Sequence, residues 1–202
     1  MPRTAPGRRL LIAAVLAAGI AAGTTACTVA HRTEVFRQDE LSDAQQAIAD
    51  IQFAAADLTI DGTVDRADTT YNPNQPITLS VRTSKDANVA ILRVLANGDT
   101  TIVFPNRAHR DAALRANTTL TVPAGGDKVK IAADKPGVVL FALIASASDK
   151  SWLFKRPPDD GSDFADLGVT SRNIAKDIAS SLKGSAAAAV HLTVRISGGG
   201  LL

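Results

Sequence analysis

The feature that most constrains the fold is an apolar run at residues 89–95, followed by Asn97 and Gly98 and by a second β-rich run at residues 100–104. Apolar residues at nearly every position are typical of a strand covered on both faces of a sheet. Asn-Gly between two such runs favours a hairpin with a type I′ turn, which needs a positive φ at both central residues. The sequence therefore predicts a hairpin whose first strand is central in a sheet.

Other parts of the chain also carry strand patterns. Apolar and polar residues alternate at 77–81 and at 190–196, and residues 138–144 form a second almost wholly apolar run. Shorter alternating runs include Leu58 to Val64, Thr119 to Val122 and Val129 to Ile131. Turn residues separate these runs, so the chain is predicted to be mainly β, a β-sandwich of about seven or eight strands.

Two accessory α-helices are expected beside the strands. Ser42 and Gln45 have the spacing of a capping box, and apolar residues then recur at helical intervals, which predicts a helix over about 42–56. Ser171 can cap a second helix over about 171–183, in which apolar residues stand four apart. Residues 41–197 are therefore expected to form one sandwich domain with helical additions.

The N-terminus has the layout of a secretory signal. Arg3, Arg8 and Arg9 precede an apolar run at residues 10–22, which is followed by small and polar residues. The run is shorter than the roughly 20 residues that a spanning helix needs. The prediction is a cleaved signal peptide at residues 1–26, and a retained transmembrane helix is the alternative.

Cys27 is the single cysteine of the chain, so an intrachain disulfide is excluded. Its position after the apolar run resembles the lipobox of bacterial lipoproteins, in which the cysteine is acylated and becomes the first residue. Ala26 fits that pattern, whereas Thr24 stands where leucine is usual. The resemblance implies a membrane anchor through an N-terminal lipid. Ordinary cleavage after Ala26 would instead leave a free thiol on a soluble periplasmic or secreted protein.

The charge of the mature chain excludes a general attraction to nucleic acid. Without the three N-terminal arginines, 19 of the 22 basic residues remain against 20 acidic ones, so the net charge changes from +2 to −1. Residues 27–40 are polar and charged and are predicted to be a tether. The glycine-rich residues 198–202 are predicted to be a flexible tail.

No pattern of reactive residues predicts catalysis, a metal or a cofactor. His31, His109 and His191 are far apart in sequence, and serine-nucleophile and phosphate-loop motifs are missing. The aspartates of residues 159–166 could hold calcium, but they lack the ligand order of an EF-hand. We therefore expect a protein that is not an enzyme, with no catalytic residue and no bound metal or cofactor.

One segment is a candidate partner contact. Trp152, Phe154 and Arg156 combine aromatic side chains with an arginine beside a proline-rich loop, a combination that protein interfaces favour. The alternative is that this segment is a strand end packed into the core, where most large apolar side chains lie.

Residues 76–144 resemble a bacterial family known as domain of unknown function 4384. The resemblance is carried by the apolar strand at 89–95 with its Asn-Gly turn, by residues 102–106, by 115–117 leading into 120–123, and by the strand near Val138. Asn117 stands where the family often has glycine, and asparagine tolerates the left-handed conformation. The resemblance implies a compact sandwich in secreted or envelope proteins, sometimes accessory to peptidase or kinase modules, and it brings no catalytic residues.

These observations together predict an exported, lipid-anchored protein of the cell envelope that acts as a non-enzymatic binding or interaction module for another protein, possible partners including an envelope protein, or for an envelope polymer. Two alternatives remain. An envelope hydrolase would require polar residues that converge in a cleft, and a carbohydrate-binding module would have to use Trp152 and Tyr71 as its stacking platform.

Overall fold

The computed structural model describes residues 40–54, 56–155, 161–168 and 170–198. The predicted signal peptide at 1–26 lies outside these residues, and so does the predicted tether at 27–40 apart from Glu40. The predicted tail at 198–202 also lies outside them apart from Gly198.

The described residues form two helices and ten strands, so the prediction of a mainly β chain is confirmed. The helices are α1 (Asp43–Ala49) and α2 (Ser171–Ser181), and Trp152–Phe154 form a 3₁₀ helix. The strands, in chain order, are β1 (Ile60–Val64), β2 (Thr70–Tyr71), β3 (Leu79–Thr83), β4 (Ala87–Val94), β5 (Thr100–Phe104), β6 (Ala113–Leu114), β7 (Thr119–Val122), β8 (Gly137–Ser146), β9 (Ala165–Asp166) and β10 (Ala187–Ile196).

The strands form two sheets. The seven-stranded sheet has the order β2-β10-β8-β4-β5-β9, and β6 pairs with the start of β4. Its neighbours are antiparallel except for β2 and β10, which are parallel. The three-stranded sheet has the order β1-β3-β7 and is antiparallel throughout.

The three-stranded sheet packs on one face of the seven-stranded sheet. Gly62 of β1 permits this contact, since a β-carbon there would collide with a methyl group of Leu143 on β8. We call the apolar cluster between the sheets the sandwich core. Its buried members are Leu58, Ile60, Tyr71, Ile77, Leu79, Val81, Ala87, Val89, Ile91, Val103, Phe104, Val122, Ile131, Ala133, Val139, Phe141, Leu143, Ala145, Val194 and Ile196.

Both helices and the 3₁₀ helix cover the opposite face of the seven-stranded sheet. Apolar side chains of β4 and β8 alternate between the two faces, as the almost unbroken apolar runs predict. We call this second cluster the helix-side core. Its buried members are Ile48, Ala90, Leu92, Val94, Ile102, Ala112, Leu140, Ala142, Ile144, Leu153, Phe154, Ala165, Leu167, Ile174, Ala175, Ile178, Leu182 and Ala187.

The hairpin of β4 and β5 is confirmed, but the predicted type I′ turn is wrong. Gly98 has a φ of 95°, whereas Asn97 is not among the residues with positive φ. The amide of Gly98 donates to the carbonyl of Leu95, and the amide of Leu95 donates to the carbonyl of Asp99, each at 2.9 Å. The loop is thus one residue longer than expected, with glycine in its left-handed position.

Helix α1 is held at its start by the predicted capping box and by a buried side chain. The amide of Gln45 donates to the Ser42 hydroxyl at 3.3 Å, and the amide of Ser42 donates to Oε1 of Gln45 at 3.1 Å. Nε2 of Gln45 also donates to the carbonyls of Val94 at 3.0 Å and Val138 at 2.8 Å, on the ends of two strands. Gln45 is fully buried, so this one side chain fastens α1 to the sheet.

Helix α2 starts beside the hairpin turn. Ser171 is its first residue rather than its cap; Thr170 occupies the cap position without a side-chain hydrogen bond. The Ser171 hydroxyl instead donates to the carbonyl of Gly98 at 2.9 Å and lies 3.1 Å from the hydroxyl of Thr100. The predicted cap is therefore a buried contact between α2 and the hairpin.

Two further predictions of secondary structure are wrong. The helix expected over 42–56 ends at Ala49, and Ile51 packs against the helix-side core without being helical. The strand expected from Val129 to Ile131 is absent from the ladders of the described residues, although Ile131 is buried and accepts a hydrogen bond from the amide of Ile77. In both segments the apolar residues are spaced as in a helix or a strand and are at least partly buried. The backbone, however, forms neither element.

A tyrosine joins the two sheets. Tyr71 of β2 is 1% exposed, and its hydroxyl donates to Oδ1 of Asp65 at 2.8 Å, just after β1. The same Asp65 oxygen accepts the amide of Thr78 at 2.9 Å, just before β3. Burial and the hydrogen bond to Asp65 raise the pKa of the Tyr71 phenol well above its usual range, so it remains a neutral donor.

Candidate functional site

The structure describes only part of the predicted site residues. Cys27 and Arg156 lie outside the described residues. Trp152 is half-buried against the helix-side core, whereas Phe154 is buried at 4% exposure within it. Of the predicted partner contact, Trp152 is therefore the described side chain that solvent reaches, and the contact itself stays a prediction.

The described histidines lie in different places. His109 is partly exposed in the loop after β5, and its Nε2 lies 3.0 Å from a carboxylate oxygen of Asp127. His191 is half-buried on β10. Burial lowers the pKa of the His191 imidazole below its ordinary value, and the negative charge of Asp50 opposes that shift only in part. The fold does not bring His109 and His191 together, because β8 and β4 lie between β10, which carries His191, and β5, which precedes the loop of His109.

Several aspartates form hydrogen bonds or ion pairs with neighbouring groups in the described part of the chain. Asp65 accepts the Tyr71 hydroxyl and the Thr78 amide, and Asp68 pairs with Arg66 at 2.8 Å. Asp166 accepts the amide of Gly168 at 3.0 Å. Within the described ranges, no three His, Cys, Asp or Glu side chains are grouped so as to hold a metal ion.

A buried asparagine organises the loop after β5. Asn106 follows a cis Phe104–Pro105 bond and is fully buried. Its Nδ2 donates to the carbonyl of Val103 at 3.0 Å, and its Oδ1 accepts the amides of Ala108 and His109, both at 2.9 Å. All these bonds are local, so Asn106 shapes the loop and presents His109.

The His109–Asp127 pair links this loop to the segment after β7. Asp127 also accepts the amide of Ala124 at 2.8 Å, next to the cis Val122–Pro123 bond. The loops that follow two segments of the family resemblance, 102–106 and 120–123, are thereby joined. The left-handed conformation expected at Asn117 is confirmed by its φ of 60°. These contacts indicate that the residues that carry the family resemblance stabilise the fold.

A groove of about 170 Å³ lies beside the hairpin turn. Residues 95–97 and 133–139 line it, and its walls are mostly apolar. Two charged side chains belong to the lining, Asp134 and Lys135. Such a groove can accept a small apolar group, but its lining has no histidine, serine or cysteine that could act as a nucleophile or base.

Arg93 is a charged residue that the sequence analysis did not single out. Its Nη1 donates to the carbonyl of Ala132 at 2.7 Å and its Nη2 to the hydroxyl of Thr101 at 3.3 Å, while its Nε is buried without a partner in the described part of the chain. Burial lowers the pKa of Arg93, and three carboxylates oppose this shift: Asp134, Asp166 and Asp99. The sequence did indicate this residue, because Arg93 interrupts the otherwise apolar run at 89–95.

Among the described residues, neither helix has the length and apolar character needed to cross a bilayer. A comparison with curated proteins and a comparison with solved structures each gave no match. The scan against family models gave one, to the family described as "Domain of unknown function (DUF4384)", over residues 70–149. This match confirms the resemblance and extends it at both ends, to include β2 and all of β8. Residues 70–149 of this chain are thus similar to the DUF4384 family.

Proposed function

We propose that this protein is exported, is lipid-anchored to the cell envelope through Cys27, and binds an envelope protein without catalysing a reaction. The observation that carries the proposal is the order of basic residues, apolar run, Ala26 and Cys27 at the N-terminus. Residues 27–40 then act as a tether between the anchor and the β-rich domain.

The described domain is consistent with a binding role. Its two cores are filled by apolar side chains, and its polar contacts join elements of the fold to one another. Trp152 combines a half-buried ring with access to solvent, which suits an aromatic anchor at an interface.

Anchoring is tested by growing the native host with an alkyne-bearing fatty acid and labelling the captured full-length protein. We expect label on the natural chain and on Thr28→Ala, a matched control one residue away, and none on Cys27→Ala. We also expect the first two proteins in the membrane fraction. An unlabelled natural chain in the soluble fraction would overturn lipid anchoring and favour ordinary cleavage after Ala26.

Binding is tested by crosslinking the tagged protein in its native envelope and identifying what co-purifies. We expect a reproducible protein partner whose recovery falls at least fivefold for Trp152→Ala and is unchanged for Lys150→Ala, an exposed neighbour. Recovery of envelope glycan in place of protein would overturn the protein partner and favour the carbohydrate-binding alternative.

A further inference from the structure

Strand β10 has one open edge. It pairs with β8 along all of Ala187–Ile196, whereas on its other side β2 meets only Arg195 and Ile196. Nothing in the described part of the chain forms a ladder with the remaining outer edge, residues 187–194. This outer edge is longer than either β2 or β9, the two short strands at the ends of the sheet.

The backbone groups on this edge can be assigned. The amide of Arg195 donates to Thr69 and that of Ser197 donates to Tyr71, so the odd-numbered residues of β10 point away from β8. Successive peptide groups alternate along a strand. Four residues therefore direct their N–H and C=O groups outward, and no described backbone group pairs with them: Ala187, Ala189, His191 and Thr193.

The edge lacks the usual devices that prevent strand addition. Exposed edges are normally protected by charged side chains, by proline or by a bulge. Residues 185–194 contain no charged residue other than a titratable His191 and no proline, and the register with β8 is continuous from Ala187 to Ile196. The edge is therefore competent to accept a further strand through main-chain hydrogen bonds.

We propose that two copies of this chain pair along β10 as antiparallel strands, with a twofold axis at Val190. In this register Ala189 of one copy lies opposite His191 of the other. Both residues direct their hydrogen-bonding groups outward, so they exchange bonds as antiparallel neighbours do. The surface is self-complementary, as a twofold interface requires.

The side chains favour a second copy over an arbitrary strand. The first half of the edge carries only alanines, at 187–189, and the second half carries larger side chains. Antiparallel self-pairing sets each small residue against a larger one: Ala187 against Thr193, Ala188 against Leu192 and Ala189 against His191. In this register Lys183 of one copy and Arg195 of the other lie at the same end of the pair but two residues out of line, so no two cations stand directly opposite each other.

Site-specific disulfide formation tests the register. The full chain carrying Cys27→Ala has no cysteine, and cysteines are then introduced singly. Under mild oxidation in whole cells we expect Val190→Cys, which meets its own copy, to give a covalent dimer. Leu192→Cys alone should give none, and Leu192→Cys together with Ala188→Cys should restore it. Because the anchor cysteine is absent throughout, this result does not depend on lipid anchoring.

A second measurement keeps the proposal falsifiable if the cysteines cannot reach each other. Ala189→Pro removes an outward N–H that pairs with no described backbone group, so we expect folded protein that associates at least tenfold more weakly in sedimentation experiments. Ala188→Pro, which removes an N–H that faces β8, is the control and should impair folding. Three results would each overturn the proposal. The natural chain could stay monomeric, or Val190→Cys could crosslink to a different protein. The amides of residues 189, 191 and 193 could also be protected from exchange at all protein concentrations.

Discussion

The two layers that cover the seven-stranded sheet are attached by different means. The three-stranded sheet satisfies its backbone within its own ladders and meets the larger sheet mainly through apolar side chains, with Tyr71 and Asp65 as a polar link. The helix layer adds buried polar contacts, through Gln45 and Ser171, to the backbone of the sheet. Isolated short helices are only marginally stable in water. Helices α1 and α2 therefore need specific contacts with the seven-stranded sheet, whereas the three-stranded sheet is stabilised by its own hydrogen bonds.

The largest expected effect tests apolar burial on the two faces of one strand. Phe141 and Leu140 are neighbours on β8, fully buried in the sandwich core and the helix-side core respectively. We expect Phe141→Ala to lower the free energy of unfolding by about 3–5 kcal/mol and Leu140→Ala by about 2–4 kcal/mol, measured by urea denaturation. A larger loss for Leu140→Ala would reverse our view of which layer depends more on burial.

The next effect concerns the polar attachment of the helix layer. Gln45→Glu replaces the amide that donates to Val94 and Val138 with a carboxylate, which leaves two buried carbonyls without a donor. We expect a loss of about 2–3 kcal/mol in the free energy of unfolding. Gln46→Glu, one residue along on a more exposed position, should change it by less than about 0.5 kcal/mol. Equal losses for the two variants would show that the buried bonds do not hold α1.

A smaller effect is expected at the polar link between the sheets. Tyr71→Phe keeps the buried ring and removes the hydroxyl that donates to Asp65. We expect a loss of about 1–2 kcal/mol in thermal or urea unfolding, since Asp65 keeps its bond from the Thr78 amide. Asp68→Asn, in an exposed ion pair nearby, serves as the control and should cost less than about 1 kcal/mol. A neutral Tyr71→Phe would mean that apolar burial alone joins the sheets.

The smallest effect is a dependence on pH at the helix-side face of β10. Burial lowers the pKa of His191 in the folded chain, so the unfolded chain binds a proton first as the pH falls. The contribution of His191 to stability is therefore present above the unfolded pKa of about 6.5 and is lost as the pH falls below it.

His191→Gln should remove this decline, whereas His109→Gln should leave it in place. Unfolding midpoints between pH 8 and pH 5 test both variants, and NMR titration of the imidazole reports the folded pKa directly. A His191 resonance that titrates at the ordinary value would contradict the prediction.

The strands that the sequence predicted are those whose pattern is local. Alternation at 190–196 and the apolar run at 89–95 correspond to β10 and β4 because one or two covered faces leave a direct signature in residue order. The two-residue strands β2, β6 and β9 have no such signature, since each exists only through its neighbour in the fold. Residues 129–131 show the opposite case. Their apolar and polar residues alternate, but the segment pairs with no strand of the described chain.

Side-chain roles were the least predictable part. The Ser42 and Gln45 capping box was visible because its partners are three residues apart. The second role of Gln45 was not, because its acceptors lie 49 and 93 residues away in the chain. Phe154 was a candidate contact from its neighbours in sequence, and only the path of the 3₁₀ helix places it in the core.

The position of β10 has a consequence for how the domain is made. The strand that enters the sheet last during synthesis lies beside β8, inside the sheet, and also holds β2, more than a hundred residues earlier. Pairings between such distant segments must wait until both have left the ribosome, and they slow folding. The pairings of β10 with β8 and β2 therefore form only after residues 187–196 have been synthesised.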